Sequence, residues 1–216
     1  MANSQPSGYL AHPPSGKGPG ILILHAWWGL SDSIKEVCDR LAAEGFIAFA
    51  PDLYHGKLTR TIEQAEILAS QLDPEGAESD INQAVDFLRR IVSPDQHGLG
   101  VVGFSLGAHL GLQLSADDPQ NVRALVVFYG TGSFDFSQSK AAYMGHFAEI
   151  DPYEPSEAVD HLEGQLRAAG LQVAFYRYQG VGHWFFERDQ PEAYRDAEAR
   201  LAWQRTLAFL KEAMAS

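Results

Sequence analysis

The sequence predicts an α/β protein: a mostly parallel sheet with helices on both faces and no large cap domain. Two observations carry this prediction. Short apolar runs such as Ile21–Leu24, Phe46–Ala50, Leu99–Val102 and Ala124–Tyr129 have the unbroken pattern of strands buried on both faces. They alternate with stretches whose apolar residues recur at helical spacing, the order that gives parallel strands joined by crossover helices. At 216 residues the chain is expected to be one domain, 1–216, with a substantial core and a flexible N-terminus over residues 1–7.

Taken in order, Gly8–Ala11 reads as a short edge strand ended by Pro13 and Pro14. A Gly/Lys/Pro turn leads into the strand Ile21–Leu24, followed by the loop Trp27-Trp28-Gly29-Leu30. Ser31 or Asp32 caps a helix running to about Glu44, which Gly45 stops. The strand Phe46–Ala50 is closed by Pro51, and a loop over 52–60 follows. Two helical stretches come next, Thr61–Leu72 and Pro74–Val92, broken at Asp73-Pro74; Ile81, Val85, Leu88 and Val92 stripe the second. Leu99–Val102 leads through Gly103 into a helix with Leu106, Leu110 and Leu114 at helical spacing, ending near Asp117-Asp118-Pro119. After the strand Ala124–Tyr129 come a strand from Ala141 to Phe147 and a helix over Ser156–Ala169 stopped by Gly170. The last strand is Gln172–Tyr178, and a long helix runs from about Pro191 to Met214.

Charge and composition narrow the function. With 28 acidic against 16 basic residues the net charge is -12, which argues against a nucleic-acid partner and against anionic membrane surfaces. No apolar stretch approaches the roughly 20 residues of a membrane span, and Met1–Gly8 lack the basic-then-apolar layout of a secretory signal. The single cysteine, Cys38, excludes an internal disulfide and fits a reducing, cytoplasmic setting. Ile34, Val37 and Leu41 at helical spacing around it make it a buried small apolar residue. There is no His-x-His, no HExxH, no cysteine cluster and no phosphate-binding glycine loop, so neither a metal nor a cofactor is expected. The oligomeric state is not encoded in any readable feature; a monomer is compatible with all of them.

The motif that organises the chain is Gly103-Phe104-Ser105-Leu106-Gly107. A buried strand, G-x-S-x-G and a helix together make the nucleophile elbow of α/β-hydrolases, in which the serine hydroxyl stands clear of a sharp turn. A Cβ at Gly103 or Gly107 would crowd that turn, and the helix N-terminus favours a developing oxyanion. Among eight histidines, His183 fits the base: it follows the last strand in Gly180-Val181-Gly182-His183-Trp184, and it comes last after an acid. His12 and His97 fall in surface loops, His109 and His161 in helices, and His25 and His146 at strand ends where local hydrogen bonds suffice. His55, in a loop, is the second choice. For the acid, Asp151 in Ile150-Asp151-Pro152-Tyr153-Glu154-Pro155 is preferred over Asp135 and Glu149, because the prolines hold its loop still.

Ser105 would attack a carbonyl carbon as His183 takes its proton, with Asp151 orienting the imidazole. The oxyanion would be met by the backbone N–H of Leu106 and by one from the loop after Leu24, where Trp27 is best placed. Trp28, Tyr54, Tyr129 and Trp184 fall at the same strand-end face and read as an aromatic substrate wall, with core filling the alternative. A small-molecule ester or lactone is the expected substrate. A peptidase or C–C hydrolase on the same residues, or a non-catalytic ligand-binding protein with the fold, are the alternatives.

These residues resemble the dienelactone hydrolase family over nearly the whole chain. The resemblance rests on Ile21-Leu22-Ile23-Leu24-His25 with Trp27-Trp28-Gly29-Leu30, Gly45-Phe46, Ala50-Pro51-Asp52-Leu53-Tyr54 and the elbow. Phe128-Tyr129-Gly130, Asp151-Pro152-Tyr153-Glu154-Pro155 and Gly182-His183 complete it. It implies Ser105, Asp151 and His183 as a triad, with the Trp27 and Leu106 amides as oxyanion hole. The founding type has cysteine where Ser105 stands and glutamate where Ala26 stands. It also holds its substrate carboxylate with two arginines, one of them where Glu187 stands beside Arg188; Arg60 is the only nearby candidate for the other. The resemblance therefore points to a serine esterase or lactonase and away from a carboxylate-bearing lactone.

Overall fold

The computed structural model describes residues 4–93 and 96–215. The strands are β1 (Gly8–Ala11), β2 (Gly20–Leu24), β3 (Ile47–Pro51), β4 (Leu99–Phe104), β5 (Val122–Phe128), β6 (Ala142–Ile150) and β7 (Val173–Gly182). The helices are α1 (Asp32–Ala43), α2 (Ile62–Ser70), α3 (Pro74–Ile91), α4 (Leu106–Asp117), α5 (Ser156–Ala168) and α6 (Asp196–Ala213). All these strands share one sheet in the order β1-β3-β2-β4-β5-β6-β7. Only β1 runs antiparallel, against β3 at the edge; the other pairs are parallel.

Strand periodicity sorts the core into two layers. Ile21 and Ile23 of β2 face α1 and α6, packing with Val37, Leu41, Ala202 and Leu210. Leu22 and Leu24 face the other way, toward Leu88 of α3, Leu112 of α4 and Leu162 of α5. Because each face has its own helices, both sets are apolar and the run is unbroken. Each such side chain contributes roughly 1.5–3 kcal/mol on burial. The α2 helix is different: only Ala65 is buried, and Ile62 and Ile67 are exposed.

The strand order reverses between β2 and β4. From β2 the chain moves to β3 on one side; from β4 onward it builds outward on the other. The crevice beyond the carboxyl ends of β2 and β4 is the topological switch point, where open α/β sheets bind ligands. Trp27 follows β2 there, and Ser105 follows β4.

Three boundaries differ from expectation. The β6 and β7 strands run on to Ile150 and Gly182, past the expected ends at Phe147 and Tyr178, through a register shift between Ala148 and Ile150. Glu149, Gln179 and Gly180 interrupt the apolar pattern because this part is largely exposed; strand pairing, the Gly180 N–H bond to Glu149 and the buried Val181 sustain it. The last helix begins at Asp196 rather than near Pro191. The Gln190 carbonyl accepts N–H bonds from both Ala193 and Tyr194, and Arg195 is extended, so 191–194 is a turn. The expectation for residues 1–7 falls partly on 1–3, which lie outside the described residues; Ser7 accepts a hydrogen bond from the Asp52 N–H at 3.1 Å.

Candidate active site

Ser105 sits between β4 and α4 with φ 50°, a left-handed value that is rare without glycine and costs about 1–3 kcal/mol. Two close backbone approaches make the turn possible. A Cβ on Gly103 would lie 2.4 Å from the Gly107 oxygen, and one on Gly107 would lie 2.1 Å from the Leu24 oxygen. The first turn of α4 is therefore pressed against the end of β2. That packing sets the Leu106 amide beside the loop that begins at His25.

The extended β6–β7 pair carries the next two residues. Ile150 is paired with Gly182, and the residues just beyond them are Asp151 and His183. The His183 Nδ1–H donates to Asp151 Oδ2 at 2.7 Å, and the Ser105 hydroxyl donates to His183 Nε2 at 2.9 Å. The tautomer follows from the chemistry: a carboxylate only accepts, so Nδ1 bears the proton and Nε2 is left to receive one. The other oxygen of Asp151 accepts the N–H groups of Tyr153 at 2.9 Å and Glu154 at 3.1 Å. Both side chains are nearly inaccessible, 3% for His183 and 1% for Asp151.

The loop after β2 is pinned by His25, which is fully buried. Its Nδ1–H donates to the Ala26 carbonyl at 2.7 Å, and its Nε2 accepts the Leu53 N–H at 3.2 Å. Burial lowers its pKa, which keeps it neutral and able to do both. One buried ring thus ties the start of the Trp27 loop to the loop after β3. His146 is another core imidazole, bonded to the Tyr178 hydroxyl and the Thr206 hydroxyl and pushed down to about 3 by burial. His55, the second choice for base, points to Asp80 of α3 at 3.3 Å. Asp135 is exposed and accepts the Ser137 N–H in a local turn, and Glu149 accepts the Gly180 N–H. None of these three joins Ser105.

The four predicted wall residues separate into two pairs. Trp28 and Trp184 pack edge to face at 5.1 Å, and Trp184 lies against His183 at 4.9 Å. Trp184 also takes a positive φ of 63°. Tyr54 and Tyr129 instead pack on histidine rings. Tyr54 is buried against His25. Tyr129 is 0% exposed, lies 4.8 Å from the His183 ring and donates its hydroxyl to Glu187 Oε1 at 2.8 Å. Tyr129 is not open to a ligand; Tyr54, 5% exposed, is no more buried than Trp28 at 2%.

Two residues escaped the sequence reading. Tyr153, 41% exposed, lies within 5.5 Å, ring to ring, of Trp27, Trp184 and His183. Its signal was its place two residues after Asp151 between two prolines. Glu187 is buried, and burial first, then the charge of Asp189, pushes its carboxyl up to about 8. Arg188, by contrast, turns outward to Glu36 at 2.7 Å. Among the described residues, no three or more His, Cys, Asp or Glu side chains are grouped to hold a metal, and no helix is long and apolar enough to cross a membrane.

The chain is similar to known proteins. Residues 7–214 match the family model of the dienelactone hydrolase family. The chain is 34% identical to protein usf of Aquifex pyrophilus over 95% of this chain and 92% of that protein. It is 30% identical to an Aquifex aeolicus (strain VF5) protein provisionally named a carboxymethylenebutenolidase, over 94% of this chain and 92% of the relative. Among solved structures, one from Klebsiella pneumoniae subsp. pneumoniae MGH 78578, provisionally described as a dienelactone hydrolase, superposes with a TM-score of 0.81. It is 25% identical and covers 95% of this chain and 92% of its own. The chain belongs to the dienelactone hydrolase family of α/β-hydrolases.

Proposed function

We propose that the protein is a serine hydrolase that cleaves carboxylic esters or lactones through an acyl-enzyme on Ser105. The observation that carries this reading is the continuous chain Ser105 Oγ, His183 Nε2, His183 Nδ1, Asp151 Oδ2, with links of 2.9 and 2.7 Å. In this reading the Ser105 oxygen attacks the carbonyl carbon while His183 Nε2 takes its proton. The Leu106 and Trp27 backbone N–H groups receive the tetrahedral oxyanion, and Asp151 stabilises the imidazolium. Collapse breaks the C–O bond, and His183 protonates the leaving oxygen. For a lactone that oxygen stays attached as the hydroxyl of the acyl group. Water then attacks the acyl-enzyme by the same steps and frees the acid.

Trp28, Trp184 and Tyr153 form the wall beside the base in this reading. Serine at the nucleophile, with its own histidine 2.9 Å away, accounts for alanine at position 26: no further carboxylate is required to ionise it. The unit that does this chemistry is the single domain 1–216, with the seven strands among the described residues in one sheet. The relative named as a carboxymethylenebutenolidase supports a lactone or ester as the substrate type.

The experiment is turnover of short acyl esters and lactones with wild type and Ser105→Ala, together with labelling by a fluorophosphonate. Wild type is expected to turn over and to be labelled at Ser105, and Ser105→Ala to lose roughly a million-fold in kcat. Unchanged turnover in Ser105→Ala sinks the proposal.

A further inference from the structure

Two neighbouring helices pack on the sheet, α3 on β2 and β3 and α4 on β2, β4 and β5. Between them lies a groove of about 500 Å³, a volume typical of ligand sites. Helices packed directly on one another sit about 8–10 Å apart with interdigitated side chains, which leaves no such space. The α4 wall is one stripe at helical spacing, Leu106, Leu110, Gln113 and Leu114, ending at Asp117. Ala77 and Ile81 of α3 line the opposite wall, and Ala69 of α2 with Leu72 just after it closes one side. Leu106, Leu110, Gln113, Ala69 and Leu72 are only half-buried, so each keeps accessible surface that a bound chain would cover.

The groove begins beside the reacting serine. Leu106 follows Ser105 directly and its N–H is the proposed oxyanion donor. His109, one turn further along α4, also lines the groove; its Nδ1–H donates to the Thr131 carbonyl at 3.0 Å. The chemistry of the ester sets which part of the substrate lies there. His183 must protonate the leaving oxygen, so the leaving group lies on the side of His183, Trp184 and Tyr153, which reach the site from the β6 and β7 ends. The acyl substituent points away from them. In the sheet, β2 and β3 lie on the other side of β4 from β6 and β7, and α3 packs on β2 and β3.

Shape and charge describe the chain that fits. From Leu106 to Asp117 the α4 wall runs about 16 Å at roughly 1.5 Å per residue. About 500 Å³ over that length is a channel roughly 6 Å wide, enough for one unbranched alkyl chain. Its acidic members are Glu75, Glu78, Asp117 and Asp118, and no Lys or Arg stands among the lining residues. A carboxylate at the end of the chain would meet like charge without a counterion, whereas a methyl end meets none of that cost. We propose, on the reading of Ser105 as nucleophile, that this groove binds the acyl chain of the substrate, an unbranched and uncharged alkyl chain of medium length such as octanoyl.

The test is a series of p-nitrophenyl esters. In wild type the octanoate is expected to exceed the butyrate at least ten-fold in kcat/KM, since each fully buried methylene is worth up to about four-fold. Octyl and butyl acetate, with the chain on the leaving side, should differ far less. Ala69→Phe and Gln113→Phe fill the groove from two walls, and each should bring the octanoate-to-butyrate ratio close to one; thermal melts show that both variants fold. A wild-type ratio near one, a ratio kept in both variants, an equal gain with the alkyl acetates, or faster turnover of mono-p-nitrophenyl suberate than of the octanoate overturns the assignment. Calorimetric binding of octanamide and butanamide to Ser105→Ala reads the groove without turnover. About ten-fold tighter binding of octanamide, lost when Ala69→Phe is added, supports the groove even if Ser105 is not the nucleophile. Equal binding of the two amides counts against it even if Ser105 is.

Discussion

Glu187 and His146 are buried ionisable residues whose protons report on folding, and their signs oppose. His146 is pushed down from 6.5 to about 3 by burial. Between those values the unfolded chain binds a proton that the folded chain refuses, so this stability is present above 6.5 and lost as pH falls toward 3. Glu187 is pushed up from 4.5 to about 8. There the folded chain keeps a proton that the unfolded chain has lost, so its contribution is complete below 4.5 and is lost as pH rises through 8. Calorimetry between pH 6.5 and 9 should show Glu187→Gln losing less Tm than wild type, because a glutamine accepts from Tyr129 without titrating. Between pH 6.5 and 4, His146→Gln should likewise lose less Tm than wild type. Tyr129 joins Glu187 to the site, with its hydroxyl on Glu187 and its ring against His183. Glu187→Leu is expected to reduce kcat on a simple ester several-fold with KM little changed, as loosened positioning of His183 would; steady-state kinetics at pH 7 measures it.

At the scale of elements, the site depends on two backbone arrangements. One is the contact of α4 with the end of β2 through Gly107, where an added Cβ would meet the Leu24 and His25 oxygens at 2.1 and 2.6 Å. Neither backbone can yield without lifting α4, so Gly107→Ala should cost at least about 1–3 kcal/mol, as other overpacked sites do. Denaturant unfolding would show it as a lower midpoint, and ester turnover should fall further than stability does, because the Leu106 amide moves with α4. The other arrangement is the β6–β7 extension. It delivers Asp151 and His183 from paired strand ends, so the two arrive at hydrogen-bond distance without a long loop to order.

The whole molecule carries a charge of -12, and that field acts on every substrate that approaches. An anionic ester should show a lower kcat/KM than a neutral ester of the same size, and the gap should narrow as salt screens the field. Measuring both substrates from about 20 mM to about 500 mM salt, on either side of the ionic strength at which the Debye length is roughly 10 Å, checks this. A gap that is constant across the series would assign the discrimination to contacts at the site rather than to the field.

The alternation of apolar strands and amphipathic helices was readable because each sheet face has its own helices, so burial was written into local pattern. The elbow was readable for a related reason: Gly103 and Gly107 answer a steric demand between residues close in sequence. Ser105, Asp151 and His183 could be named because each follows a strand, and strands of a parallel sheet end on one side. What local pattern could not contain was decided by contacts between distant segments. The length of β6 and β7 depended on pairing with each other through an exposed, polar stretch. Tyr129 reads as a wall residue, yet its bond to Glu187, 58 residues away, holds it fully buried behind His183.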